Sequence, residues 1–404
     1  MRASCYSDGI TVFIMSCEMK FREIYESDPE GSAFCPYRVC PVGAHVDHNL
    51  GKITGFAIDK GIHIAYRPAR DGMMDLCSLQ FDKRVQWNAL SVPKEEQNDW
   101  ADYLRGATLA LSRDHTLTVG ICGVIEGTLP IGGLSSSAAV TIAFLIALCK
   151  VNGLCLSESE IIRLAQEAEN MYVGVSCGKL DQSCAVLCRK DHLLYLDLKD
   201  DTYELIPRRP EMKDFRIGIF FSGIERALTG SKYNMRVDEL RSAAYALKAY
   251  AGMDYGKLAE TNLRDVPVEV YRKYGGRLPE NWRRRAEHWY SECVRVEAAA
   301  DAWRKGDLET FGRLSSESGR SSIEIWETGS PELKSLYEIM TRTDGIYGGR
   351  FSGAGFKGCC IALVDPGFES YVREKVTDAY LKDFPAIKDR YSVCFCDTAD
   401  GAKL

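Results

Sequence analysis

Two glycines and three serines stand directly ahead of a long apolar run in Pro130-Ile-Gly-Gly-Leu-Ser-Ser-Ser-Ala-Ala139, and the residues from Ala138 to Lys150 are apolar nearly all round. A helix without a polar face has to be buried, and Asn152-Gly153 is a stop signal for it. Glycines let backbone amides approach an anion, while a helix N-terminus adds its dipole and unpaired N–H groups. The segment therefore reads as a phosphate cradle leading into a core helix, a pattern that an ordinary Gly/Ser loop capping a helix shares. It is not a Walker A loop, because no Lys follows a G-x-x-x-x-G frame anywhere in the chain.

At 404 residues the chain exceeds the usual size of a single core, so two domains are expected, spanning 1–210 and 211–404. Gly61 to Arg67 and His192 to Leu198 alternate as strands, and Ser157-Glu158-Ser159-Glu160 opens a second helix with a capping box. Helical patterns follow around Asp238 to Ala251 and Trp282 to Arg304, then an apolar strand near Ile361 to Val364. The short apolar run Ile10 to Met15 is expected to be neither a signal peptide nor a membrane span. A net charge of -6 with no basic block argues against a nucleic-acid surface, and sixteen scattered cysteines are unlike a disulfide framework, which points to a reducing cytoplasm.

Four further segments accompany the phosphate loop. They are Pro36-Tyr-Arg-Val-Cys-Pro-Val-Gly-Ala-His-Val-Asp-His48, Gly174-Val-Ser-Cys-Gly-Lys-Leu-Asp-Gln182, Gly349-Arg-Phe-Ser-Gly-Ala-Gly-Phe-Lys-Gly358, and Trp100-Ala-Asp-Tyr103 with Gly106. Together with P-x-G-G-L-S-S-S-A they resemble the motif set of the GHMP kinases, and of galactokinases in particular, from about residue 33 onward. The resemblance implies an α+β two-domain fold, with an N-terminal domain like domain 2 of ribosomal protein S5, a ferredoxin-like C-terminal domain, and ATP between them. It also implies MgATP-dependent phosphorylation of a sugar's anomeric hydroxyl.

The same resemblance assigns roles. Asp181 would sit beside the anomeric hydroxyl as base or orienting carboxylate, and Arg38 would touch both Asp181 and the transferring phosphoryl group. Ile131, Gly132, Gly133, Leu134, Ser135, Ser136 and Ser137 would hold the phosphates, with Trp100 on the adenine side. Ser137 and Glu169 would ligate Mg²⁺, which takes hard oxygen ligands. Ala44, His45, Asp47, Cys177, Gly178 and Tyr233 would line the sugar site. The run His45-Val-Asp47-His48 also suggests zinc, but no ligand outside it is indicated and the galactokinase motif accounts for His45 and Asp47 as sugar contacts.

One departure bears on the substrate. Galactokinases read Gly-Glu-His-x-Asp-Tyr, their glutamate binding the C6 hydroxyl, where this chain has Gly43-Ala44-His45-Val46-Asp47-His48. A uronic acid carries a carboxylate at C6, and two carboxylates in one desolvated pocket repel. Ala44 removes that conflict, and both this motif and Phe351 to Cys360 resemble galacturonokinases. D-galacturonate is thus the expected substrate, with D-galactose the alternative and a non-catalytic sugar sensor a third reading. The intact Ser135 to Ala139 stretch speaks against the sensor. Arg226, Lys232 and Lys179 are the cations near these segments that could meet the uronate, Arg226 first.

Overall fold

The computed structural model describes residues 9–224 and 229–404, with side chains from Cys17 onward apart from those of 229–232. In chain order the strands are β1 (Gly31–Val39), β2 (Lys52–Ala69), β3 (Met73–Ser78), β4 (Val85–Asn88), β5 (Gly120–Gly127), β6 (His192–Asp197), β7 (Thr202–Pro207), β8 (Arg216–Phe221), β9 (Ile346–Phe351), β10 (Cys359–Val364), β11 (Ser392–Cys396) and β12 (Thr398–Ala399). They form an 8-stranded sheet of order β4-β3-β5-β2-β6-β7, with β1 and β12 also on β2, and a 4-stranded sheet of order β11-β8-β10-β9. Among the described strands only β3 and β5 pair in parallel.

β2 is the spine of the larger sheet. Its 18 residues exceed the alternating Gly61–Arg67 stretch because each part finds a partner. β6 pairs Lys52–Gly55, β12 pairs Ala57 and Ile58, and β1 and β5 flank the remainder. The other sequence-read strands recur as β6 and β10. Residue 210 falls between β7 of the first sheet and β8 of the second, while Thr398 and Ala399 return the chain to the first sheet.

The apolar run forms the helix Ser136–Val151, packed on β1 and β2 with Ile142, Phe144, Leu145 and Ala147 fully buried. The next helix, Glu158–Glu167, begins with the expected reciprocal cap between Ser157 and Glu160. In the second half, Pro279 precedes the helix Glu280–Arg304 with extended backbone, which suits a residue that lacks an N–H. That helix packs against Leu308–Glu324, Thr229–Tyr250 and β2. Trp303 fastens it to the first sheet: the ring lies 5.2 Å from Phe56 and 5.1 Å from Phe311, and Nε1 donates to the Ile206 carbonyl at 3.0 Å. Truncating such a residue to Ala typically costs about 3–5 kcal/mol. Among the described residues no helix is long and apolar enough to cross a membrane.

Candidate active site

A cavity of about 400 Å³ opens where the phosphate loop, the end of β1 and the loop after β9 meet. The phosphate loop owes its shape to left-handed backbone: φ is 134° at Gly132, 83° at Gly133 and 56° at Ser135. Ser135 occupies the cap position of the helix Ser136–Val151 without capping it; its Oγ donates to Asp181 Oδ2 instead. The first-turn amides are thereby left without a side-chain cap beside Ser136 and Ser137, which line the cavity.

Arg38 stands one residue before the end of β1, with 3% of its surface exposed. Its Nε donates to Asp181 Oδ1 at 2.7 Å, and Nη1 reaches the Gly133 carbonyl and Ser352 Oγ, both at 3.2 Å. Burial pulls the guanidinium pKa down, but the charge and hydrogen bond of Asp181 more than reverse that, so it lies above the ordinary value. Asp181 belongs to the first turn of the helix Leu180–Leu187, accepts from both Arg38 and Ser135, and lines the cavity.

Glu169 follows the helix Glu158–Glu167 in a π-helical turn, Ala168–Tyr172. Its Oε2 lies 3.5 Å from Ser137 Oγ and its Oε1 accepts from Gln182 Nε2 at 3.2 Å. Burial, and then the charge of Asp181, push its pKa from 4.5 to about 8. Among the described residues it makes no ion pair, so this is a dry carboxylate that a cation would relieve.

The sugar-motif turn is also left-handed in part, with φ of 107° at Gly43 and 64° at His45. His45 stacks on Trp326 with centroids 5.2 Å apart and planes at 9°. Burial, and then Arg350, keep its imidazole well below the usual pKa, and its buried Nε2 has no partner among the described residues. Burial raises the Asp47 carboxylate, but His48 and backbone N–H groups outweigh that and hold it below its ordinary value. Gly178 packs on Asp47 so tightly that a Cβ would collide with the carboxylate. Ala44 lines the cavity, its carbonyl 3.1 Å from His288 Nε2. Tyr233 and Cys177 complete this end, and burial, then Glu169, raises the Cys177 thiol so that it stays protonated.

At the other end the walls are apolar: Ile62, Phe81, Ile125, Ile131, Val140 and Trp100. Trp100 lies parallel to Phe81 at 6.1 Å and donates its Nε1 to the Lys83 carbonyl at 2.8 Å. Two of the sequence-read residues stay behind the wall: Gly178, and Leu134, which is buried with its carbonyl 3.5 Å from the Arg38 amide. Of the cations considered for a uronate, Lys179 pairs with Asp201 at 2.7 Å on the exposed surface, away from the cavity. Arg226 and the Lys232 side chain lie outside the described residues.

Sequence reading passed over a buried network under the sugar turn. Glu292, fully buried on the helix Glu280–Arg304, accepts from the Gly43 amide at 2.7 Å and from Ser318 and Arg295. Arg350, which lines the cavity, lies 3.7 Å from Glu292 and is held by Ser318, Ser322 and the Phe351 carbonyl. Arg350 was already inside the glycine-rich motif; Glu292 carries no local signal at all.

A helix N-terminus without a side-chain cap, lining one cavity with a buried arginine and the aspartate it holds, is the site of a small-molecule kinase. Family models for the GHMP kinases N terminal domain, the GHMP kinases C terminal and the galactokinase galactose-binding signature match residues 102–189, 298–382 and 19–68. The chain belongs to the GHMP kinases, among the sugar kinases that carry that galactose-binding signature. It is 39% identical over 394 residues to the galacturonokinase of Arabidopsis thaliana, covering 91% of this chain and 92% of that one. It is 34% identical to the galactokinase of Roseiflexus sp., covering 95% of each. The crystal structure of Lactococcus lactis galactokinase complexed with galactose superposes with a TM-score of 0.86 at 28% identity, covering 96% of this chain and 98% of that one.

Proposed function

We propose that the protein transfers the γ-phosphate of ATP to the anomeric hydroxyl of D-galacturonate, giving galacturonate 1-phosphate and ADP. The observation that carries the choice of sugar is Ala44: an alanine stands in the cavity wall where the galactokinase motif has a glutamate, and Arg350 lines the same cavity. A C6 carboxylate is thereby spared the like-charge repulsion a glutamate would impose. The similarity to a galacturonokinase over nine-tenths of the chain supports the same reading.

In this proposal the sugar's O1 attacks the γ-phosphorus, the bond to the β-phosphate oxygen breaks, and the hydroxyl proton passes to Asp181. Ser135 and Arg38 hold that carboxylate in place, and Arg38 offers charge to the transferring group. The amides of Gly132 to Ser137 cradle the phosphates, and Trp100 with Phe81 flanks the base. Ser137 and Glu169 would hold Mg²⁺, which when bound would supply positive charge against the phosphates. A cytoplasmic setting accords with the cysteines, all of which are free among the described residues.

The test is ADP release with galacturonate, glucuronate, galactose and N-acetylgalactosamine at saturating MgATP. Galacturonate should give the highest kcat/KM; a preference for galactose would replace this reading with that of a galactokinase.

A further inference from the structure

We propose that Lys357 engages the terminal phosphates of the bound nucleotide, an assignment that rests on the phosphotransfer reading above. Arg38, Arg350 and Lys357 are the Lys and Arg side chains among the described residues that line the cavity. Arg38 is committed to Asp181, and Arg350 to Ser318, Ser322 and Glu292. Lys357, half-buried, makes no hydrogen bond or ion pair with any described residue. Asp181 offsets Arg38 and Glu292 offsets Arg350, so the negative charge that MgATP brings has Lys357 as its uncommitted counterpart.

Backbone packing gives the location. Lys357 immediately precedes Gly358, and a Cβ on Gly132 would come within 2.9 Å of the Gly358 Cα. At the other end of the same loop, a Cβ on Gly353 would lie 3.0 Å from the Gly133 Cα. The loop Gly353–Gly358 is therefore laid directly against the phosphate cradle, glycine on glycine, and Lys357 is the cation delivered to that contact. The cradle has no lysine of its own, whereas a Walker A loop carries one for the β- and γ-phosphates. A flexible ammonium supplied from the neighbouring loop would do the same work as a point charge. The wall near Ala44 and His45 already has Arg350, and the contacts of the loop ends are to Gly132 and Gly133 rather than to that wall.

The experiment is calorimetric titration of MgATP, MgADP and adenosine into wild type, Lys357→Met and Lys357→Arg without sugar, paired with kinetics on galacturonate and galactose. Lys357→Met should weaken MgATP at least about tenfold, the scale of a lost charge-assisted hydrogen bond. Adenosine affinity should stay level, Lys357→Arg should recover most of the loss, and the galacturonate-to-galactose ratio of kcat/KM should not move. Unchanged MgATP affinity, an equal loss for adenosine, or a loss confined to galacturonate each overturns the assignment while leaving the kinase reading in place. A wild type that binds no MgATP overturns both.

Discussion

Arg38 and Asp181 lie 143 residues apart in sequence and meet at 2.7 Å, the guanidinium nearly sealed from solvent and the carboxylate open to the cavity. Asp181 also accepts from Ser135, so each carboxylate oxygen has its own donor: one comes from the end of β1, the other from the phosphate loop. A group held on both oxygens is positioned before substrate arrives, and that preorganisation is what proton transfer in the transition state needs.

Asp181→Asn keeps the shape but puts an NH₂ against one of these donors and removes the proton acceptor. Turnover should fall by at least about a hundredfold, while calorimetric affinities for MgATP and sugar stay within several-fold. A variant within about tenfold of wild-type kcat would take Asp181 out of the mechanism.

Glu169 makes a prediction in pH. Its folded-state pKa of about 8 lies above the unfolded value near 4.5, so the folded state binds the extra proton between them, and stability should fall as pH rises through that window. Glu169→Gln should flatten this slope, by ~1–3 kcal/mol across the window, in metal-free protein followed by thermal denaturation from pH 5 to 8. The same variant should raise the Mg²⁺ concentration needed for activity far more than the KM for sugar. Identical pH slopes for wild type and variant would mean Glu169 is not a dry carboxylate.

Ala44→Glu returns a carboxylate to the cavity wall. Two unit charges about 4 Å apart at an effective dielectric of about 20 repel by about 4 kcal/mol, and displacement or protonation of the new side chain reduces that. At least about a tenfold loss of kcat/KM for galacturonate is expected, with a smaller gain for galactose. A variant that handles galacturonate as well as wild type does would show that position 44 does not face C6.

Glu292→Gln tests the network beneath the turn. The substitution leaves Arg295 and Arg350 without their buried anion and weakens the acceptor for the Gly43 amide. Removing one partner of a buried ion pair costs about 3–5 kcal/mol, so the denaturation midpoint should drop markedly. Because Gly43 and Ala44 share that turn, the KM for sugar should rise while the KM for ATP changes little. An unchanged midpoint would mean the arginines are balanced elsewhere.

The sequence by itself determined what depends on near neighbours. The all-apolar face of Ser136–Val151, the Ser157–Glu160 cap and the left-handed glycines of the phosphate loop are set by side chains and backbone freedom within a few residues. The family motifs added a list of site residues, most of which line one cavity. Tertiary structure decided the rest. The full length of β2, and the return of Thr398 and Ala399 to it, depend on partners far along the chain. Glu169 is buried in a π-turn, with Gln182 donating to its carboxylate. Glu292 lies on a polar-looking helix, yet it is fully buried because Gly43, Ser318, Arg295 and Arg350 converge on it. Backbone preferences act over a turn or two, whereas the choice of which charges share a dry site is made by packing between distant segments, and no local pattern encodes it.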